Sequence, residues 1–325
     1  MNKRSLFGNE QPHSGFVRAL LENNRNQKKD KSLYATKCSS REIWEGSVRV
    51  ANIGLDSFSY HLHLEDVDHP RDAQWFLQKV LGFGLNGCSF NPRHLRGWDE
   101  ELIQGIGAFC DQHGLYLELT SSASDYARLC RRLILASEVG ARMLRTVIAE
   151  NHPGVSEEQR RVHVRFAVDN LKRLGEVAEC VGVVLCISNC GSLTTAELAE
   201  VLGQVDSPFV RASFCNAEVP AAREDPVDSA LTLAPYIAGV TLKDWRMCRE
   251  GETDVHEGCA LGTGQARVGE VYRILQQVCP KAPITVEVPT LSLGHTFHGL
   301  EEEEARVQQS VEFVKALDQD PVLVG

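Results

Sequence analysis

The chain has 325 residues, 43% hydrophobic and 24% charged, a balance that excludes wholesale disorder and allows a substantial core. Its formal net charge is −10, the wrong overall sign for gripping a phosphate backbone. The densest basic pairs, Arg131-Arg132 and Arg160-Arg161, fall in expected helices, where a solvated face explains them better than a nucleic-acid patch.

Residues 1–48 read as a polar N-terminal extension, most hydrophilic at Asn23 to Lys31, with too little apolar area to offset ordering. One helix is expected in it, near Phe16 to Leu21. From residue 49 to about 320, short apolar runs alternate with longer amphipathic ones, the pattern of repeated βα units. The expected order is strand 52–59, helix 70–81, strand 87–90, helix 99–113, strand 115–119, helix 126–139, strand 142–148 and helix 156–180. The second half continues with strand 183–187, helix 195–202, strand 209–214, helix 228–236, strand 238–242, helix 268–278, strand 284–288 and helix 301–317. Gly114 and Gly140 end the helices before them, and Ser156 with Gln159 has capping-box spacing. Eight such units close a parallel (β/α)8 TIM barrel. A doubly wound open sheet is the alternative, weakened because no glycine-rich phosphate loop follows the first strand.

Eleven cysteines lie scattered in apolar segments without a CxxC pair, so they read as buried reduced thiols. The start lacks a sustained apolar core, and nowhere do about 18 apolar residues run together. A cytoplasmic protein that neither spans a membrane nor binds nucleic acid is the expectation; homo-oligomerisation is left open.

A barrel's working face is formed by the carboxyl ends of its strands and the loops after them. There the chain places His61 and His63, Glu118, Arg145, Ser188-Asn189-Cys190, Cys215-Asn216, Thr241-Leu242-Lys243-Asp244 and Glu287. His61 and His63, two apart, would share one side of an extended segment and could do acid-base work. Glu118 and Arg145 could bind substrate or simply pair with each other. Lys243 could anchor an anion, act as a base, or pair with Asp244. His152, His295 and His298 lie in later rim loops, and the run Glu301 to Glu304 reads as an acidic first helical turn complementing the dipole.

Five short pieces, Gly54 to Tyr60, Glu224-Asp225-Pro226, Leu242-Lys243-Asp244, Leu261 to Gly264 and Val286 to Pro289, carry a resemblance to the xylose-isomerase-like TIM barrels, specifically the sugar phosphate isomerase/epimerase group. The resemblance implies a divalent metal held by a glutamate, an aspartate, a histidine and a glutamate on the last four strands. At the corresponding positions this chain has Ser188, Cys215, Thr241 and Glu287. Serine, threonine and a neutral thiol offer neither the charge nor the basicity of the implied ligands, so the expected metal site is degenerate. A reassigned zinc site of Cys190, Cys215 and Glu287 with a nearby histidine is one alternative.

The functional expectation is an isomerase- or epimerase-like barrel acting on or binding a sugar or sugar-acid derivative without the usual metal. Glu287, Lys243 and His61 are the candidate catalytic residues; Glu118, Arg145, His63, Asn189 and Asp244 are the candidate substrate-binding ones. The competing expectation is a noncatalytic pseudoenzyme or partner-binding subunit that keeps the barrel. An abasic-site endonuclease fits neither the acidity nor the depleted ligand set.

Overall fold

The first strand, β1 (Ile53–Asp56), is shorter than its apolar run predicts. The Asp56 carboxylate accepts the Phe58 N–H at 2.8 Å and turns the chain into a 3₁₀ turn, Ser57–Tyr60, followed by a helical turn, His61–Leu64. His61 and His63 therefore lie on helical rather than extended backbone, and the shared-side expectation is corrected. The computed structural model describes residues 52–66, 68–147, 157–189, 193–217, 224–250, 253–289 and 299–319. The N-terminal extension with its expected helix lies outside them, as do Ser156 of the expected capping box, Cys190, His152, His295 and His298.

The remaining strands are β2 (Gly87–Phe90), β3 (Tyr116–Thr120), β4 (Met143–Thr146), β5 (Val184–Ser188), β6 (Val210–Cys215), β7 (Ile237–Leu242), β8 (Asp244–Glu250), β9 (Thr253–Cys259) and β10 (Ile284–Val286). All but β8 and β9 pair in parallel and close into one barrel, in the order β1-β10-β7-β6-β5-β4-β3-β2. The helices are α1 (Ala73–Gly82), α2 (Glu100–His113), α3 (Tyr126–Glu138), α4 (Glu157–Val181), α5 (Thr195–Val205), α6 (Pro226–Leu233), α7 (Val268–Val278) and α8 (Leu300–Gln319). Strand-then-helix repeated eight times is the (β/α)8 TIM barrel that the apolar rhythm predicts.

Local chemistry sets the helix starts. Asp72, Asp99 and Asp125 cap α1, α2 and α3 by accepting the Trp75, Leu102 and Arg128 N–H groups. Thr194 and Glu197 form a capping box at α5. Gly114 ends α2 in the left-handed region, φ 66°.

One element was not expected: β8 and β9 form an antiparallel hairpin between β7 and α7, where the sequence suggests only a long loop. Its two strands alternate apolar and polar residues weakly, which hides them from a pattern search.

At one end of the barrel, space inside is filled by an aromatic ring. A Cβ on Gly54 or Gly87 would meet Tyr116 at 2.4 and 2.0 Å, so both positions require glycine. Gly54, Gly87 and Tyr116 share a register row. Two residues further along each strand, on the same face, stand Asp56, Ser89 and Glu118.

Candidate functional site at the barrel mouth

Arg145 near the end of β4, Thr241 near the end of β7 and Glu287 just past β10 are buried with Asp56, Ser89 and Glu118, so polar side chains from six strands or their ends gather inside the barrel. Arg145 binds them together. Its Nη2 donates to Asp56 Oδ2 at 2.9 Å and to Thr120 Oγ1 at 3.1 Å, and its Nη1 donates to Thr241 Oγ1. Nη2 is also 4.0 Å from Glu287 Oε2. Arg145 Nε lies 3.1 Å from Glu118 Oε1, but its N–H is aimed at Thr120 Oγ1, and Glu118 Oε1 is left without a hydrogen bond. Glu118 and Arg145 are thus paired, as the plainer of the two expectations had it, within a larger cluster.

Beside this cluster, Lys243 Nζ lies 2.8 Å from Glu287 Oε1. Lys243 is the most accessible member, with 17% of its side chain exposed against 8% or less for Arg145, Asp56, Glu118 and Glu287. Three carboxylates face two cations, which leaves one excess negative charge (3 − 2). Burial, reinforced by Glu287 and opposed by Arg145, pushes the Asp56 carboxyl up to about 6. Burial likewise raises Glu118, against the pull of Arg145. For Arg145 itself burial works to lower the pKa, but Glu118, Asp56 and Glu287 together overcome it and hold the guanidinium charged.

A divalent metal does not fit the strand ends at which the family resemblance places one. Of Ser188, Cys215, Thr241 and Glu287, the hydroxyl of Thr241 accepts from Arg145, and Glu287 is paired with Lys243 and near Arg145. Two side-chain cations already face the one carboxylate of that set, and like charge opposes a third. Cys215 is buried, and Cys190 lies outside the described residues.

Other expected site residues have structural partners. Asp244 is buried, and its carboxylate accepts the N–H groups of Trp245, Gly262, Gly264 and Ala266, each at 2.9 Å. This corrects the idea that it pairs with Lys243: its acceptor sites staple the loop after β9. Asn189 donates to Cys215 O at 3.0 Å and accepts Cys215 N–H at 2.7 Å, tying β5 to β6. Asn216 repeats the device one strand later, on the Lys243 main chain and Ala266 O. His63 stacks on Trp75, ring centroids 5.0 Å apart, and its Nδ1 meets Glu303. Glu303 is fully buried and also accepts the Leu62 and His63 N–H groups at 2.8 and 3.1 Å. The acidic run at the start of α8 therefore does more than complement the helix dipole: Glu303 docks α8 onto the turn after β1, and Glu304 pairs with Lys79 at 2.8 Å.

His61 is buried beside Phe58, Glu65 and His94, and burial lowers its pKa. Asp56, Glu65 and His94 were missed by sequence reasoning. Asp56 was visible as an acid ending an apolar strand, and Glu65 as the fourth residue after His61 had the segment been read as helical.

Comparison with known proteins agrees with this architecture. A protein of unassigned function from Escherichia coli strain K12, YihM, is 24% identical over 217 residues, covering 65% of this chain and 64% of its own length. This chain therefore spans just under two thirds of that relative. Among solved structures, D-psicose 3-epimerase from Clostridium cellulolyticum H10 superposes with a TM-score of 0.63 at 13% identity, covering 82% of this chain and 98% of the epimerase. An L-ribulose 3-epimerase gives 0.62 at 14%, over 84% and 96%. An IolI protein with a bound zinc atom gives 0.64 at 12%, over 83% and 98%. At such identities the superpositions speak for the fold alone. The sequence profile of the xylose isomerase-like TIM barrel matches residues 77–317, and the chain belongs to that family.

Proposed function

We propose that the barrel mouth binds a polyhydroxylated small molecule, a sugar or sugar acid, and moves a proton on it without a metal at the last four strand ends. The observation that carries this reading is the Lys243–Glu287 pair, 2.8 Å apart, with the ammonium partly exposed and the carboxylate buried. In this reading Glu287 removes the proton from a carbon beside a carbonyl, and Lys243 stabilises the developing enolate oxygen through a charge-assisted hydrogen bond. Return of the proton to a neighbouring carbon would isomerise the sugar; return to the opposite face of the same carbon would epimerise it. The family membership and the ketose 3-epimerases among the structural relatives support the substrate class.

Arg145 favours a second reading. Its hydrogen bonds reach Asp56 on β1, Thr120 on β3 and Thr241 on β7, as expected of a guanidinium whose task is to hold the barrel strands together. In that reading the barrel is a noncatalytic binding subunit. A calorimetric titration with a panel of ketoses, aldoses and sugar acids tests the shared element. The proposal expects binding of at least one of them and a loss of about tenfold or more in Lys243→Met, given that a hydrogen bond to a charged group contributes about 1.5–3 kcal/mol. Absence of binding by any sugar, or binding unchanged in Lys243→Met, would count against a sugar site at this pair.

A further inference from the structure

Among the described residues, one group of side chains has donors close enough together to hold a metal ion: His61, Glu65 and His94. It is separate from the Lys243–Glu287 pair and does not depend on the function proposed for it. The helical turn after β1 places His61 and Glu65 four residues apart, one turn of helix. A 3₁₀ turn after β2, Pro92–Leu95, delivers His94 beside them, with the two imidazole centroids 6.1 Å apart.

The distances suit a small tetrahedral ion. Glu65 Oε1 is 3.3 Å from His61 Nδ1 and 3.6 Å from His94 Nε2, and the three donors lie within 4.8 Å of one another. Zinc at about 2.0–2.1 Å from its ligands sets neighbouring donors roughly 3.3–3.5 Å apart. Two of the three edges are therefore near the required length in the protein alone.

The ring nitrogens also lack other partners. His61 Nδ1 and His94 Nε2 are both buried and neither makes a hydrogen bond, although both are near the carboxylate. His61 is 6% exposed and the His94 side chain 5%. A buried polar atom left unsatisfied costs about 1–3 kcal/mol, so two of them within 3.6 Å of one carboxylate oxygen call for an occupant.

The surroundings orient the donors as an outer shell would. His94 Nδ1 is 2.8 Å from Ser57 Oγ, which accepts the Asn91 N–H at 2.9 Å, so the ring is held with Nε2 toward Glu65. Arg93 donates Nε and Nη2 to the two oxygens of Glu65 at 2.9 and 2.8 Å. A carboxylate oxygen has a second lone pair for a metal while the guanidinium fixes its plane.

We propose that His61 Nδ1, Glu65 Oε1 and His94 Nε2 bind one divalent transition-metal ion of the zinc class, with water as the fourth ligand. Two imidazoles and a carboxylate form a neutral-to-anionic N2O set that suits zinc or cobalt over magnesium or calcium, which prefer all-oxygen shells.

Titration of the full, chelator-stripped chain with cobalt(II) tests this. The expected result is one equivalent bound, a visible ligand-field band of tetrahedral strength, no thiolate-to-cobalt charge-transfer band in the near ultraviolet, and displacement by zinc. Glu65→Gln, at the accessible edge of the site, and His94→Ala should each weaken binding by at least about tenfold, while Cys215→Ser should bind as the parent does. Circular dichroism of Glu65→Gln separates loss of the ligand from loss of the fold. The proposal is overturned by absence of stoichiometric cobalt, by a thiolate charge-transfer band, or by unchanged affinity in a folded Glu65→Gln protein.

Discussion

Arg145 is the residue on which most of the buried charge in the barrel converges, and its partners show what a positive charge in that place does to its neighbours. Asp56 is completely buried, and burial together with Glu287 raises its carboxyl from 3.8 to about 6 in the fold despite the Arg145 guanidinium. A carboxyl raised in this way contributes stability that is full below 3.8 and is lost as pH rises through about 6. Asp56→Asn removes the titration. In denaturant unfolding, the stability of the wild type relative to Asp56→Asn should therefore fall between about pH 4 and pH 7. A shift of about two units corresponds to about 3 kcal/mol. A difference that is flat or grows with pH would show that Asp56 is ionised throughout and that Arg145 outweighs its burial. Sequence alone offers a Glu118–Arg145 pair as one of two readings of these rim residues; it does not show Asp56 joining them, since the contact spans 89 residues and depends on barrel closure.

Elements of this chain are fastened by short polar devices, several of which have the appearance of site residues when read from sequence. Asp244, Asn189, Asn216 and Glu303 all stand at strand ends or near the barrel rim, yet each side chain is turned to main-chain partners. Residue type is the same for an acid that binds a ligand and for one that binds a loop, and only the position of the loop's N–H groups separates them. The starts of α2, α3 and α5, by contrast, were legible to within one residue, because an N-cap and its partner lie within three residues, whereas α1 starts at Ala73 behind its Asp72 cap and not at residue 70. The β8–β9 hairpin was not, because its pairing follows from tertiary placement beyond β7 more than from a strong alternating pattern. The loop staple has a direct consequence. Asp244→Ala removes the acceptor of three loop N–H groups, each charge-assisted and worth about 1.5–3 kcal/mol at most. Hydrogen exchange at Gly262, Gly264 and Ala266 should accelerate by about tenfold or more while exchange in β1 to β4 is unchanged. Unaltered protection at those three amides would mean that the loop is held by something other than Asp244.

At the scale of the whole molecule, the rhythm of apolar runs pointed to the closed barrel, because each βα unit announces itself locally and eight units in order are the number that closes a parallel barrel. The chemistry at its mouth was less legible. Sequence places a single carboxylate, Glu287, among the four strand-end positions, and only the closed barrel shows Arg145 and Lys243 brought to it. Among the described residues no helix is long and apolar enough to cross a membrane, and the cysteines there are free thiols. In the proposed function, Glu287 and Lys243 move a proton on a sugar without a metal between them. Deuterium incorporation from heavy water at the carbon beside the carbonyl, followed by proton NMR over a panel of ketoses and sugar acids in chelator-treated protein, tests it most directly. Incorporation into at least one sugar is expected, surviving chelation and disappearing in a folded Glu287→Gln protein. No incorporation into any sugar, or incorporation that requires an added divalent ion and persists in Glu287→Gln, would contradict it.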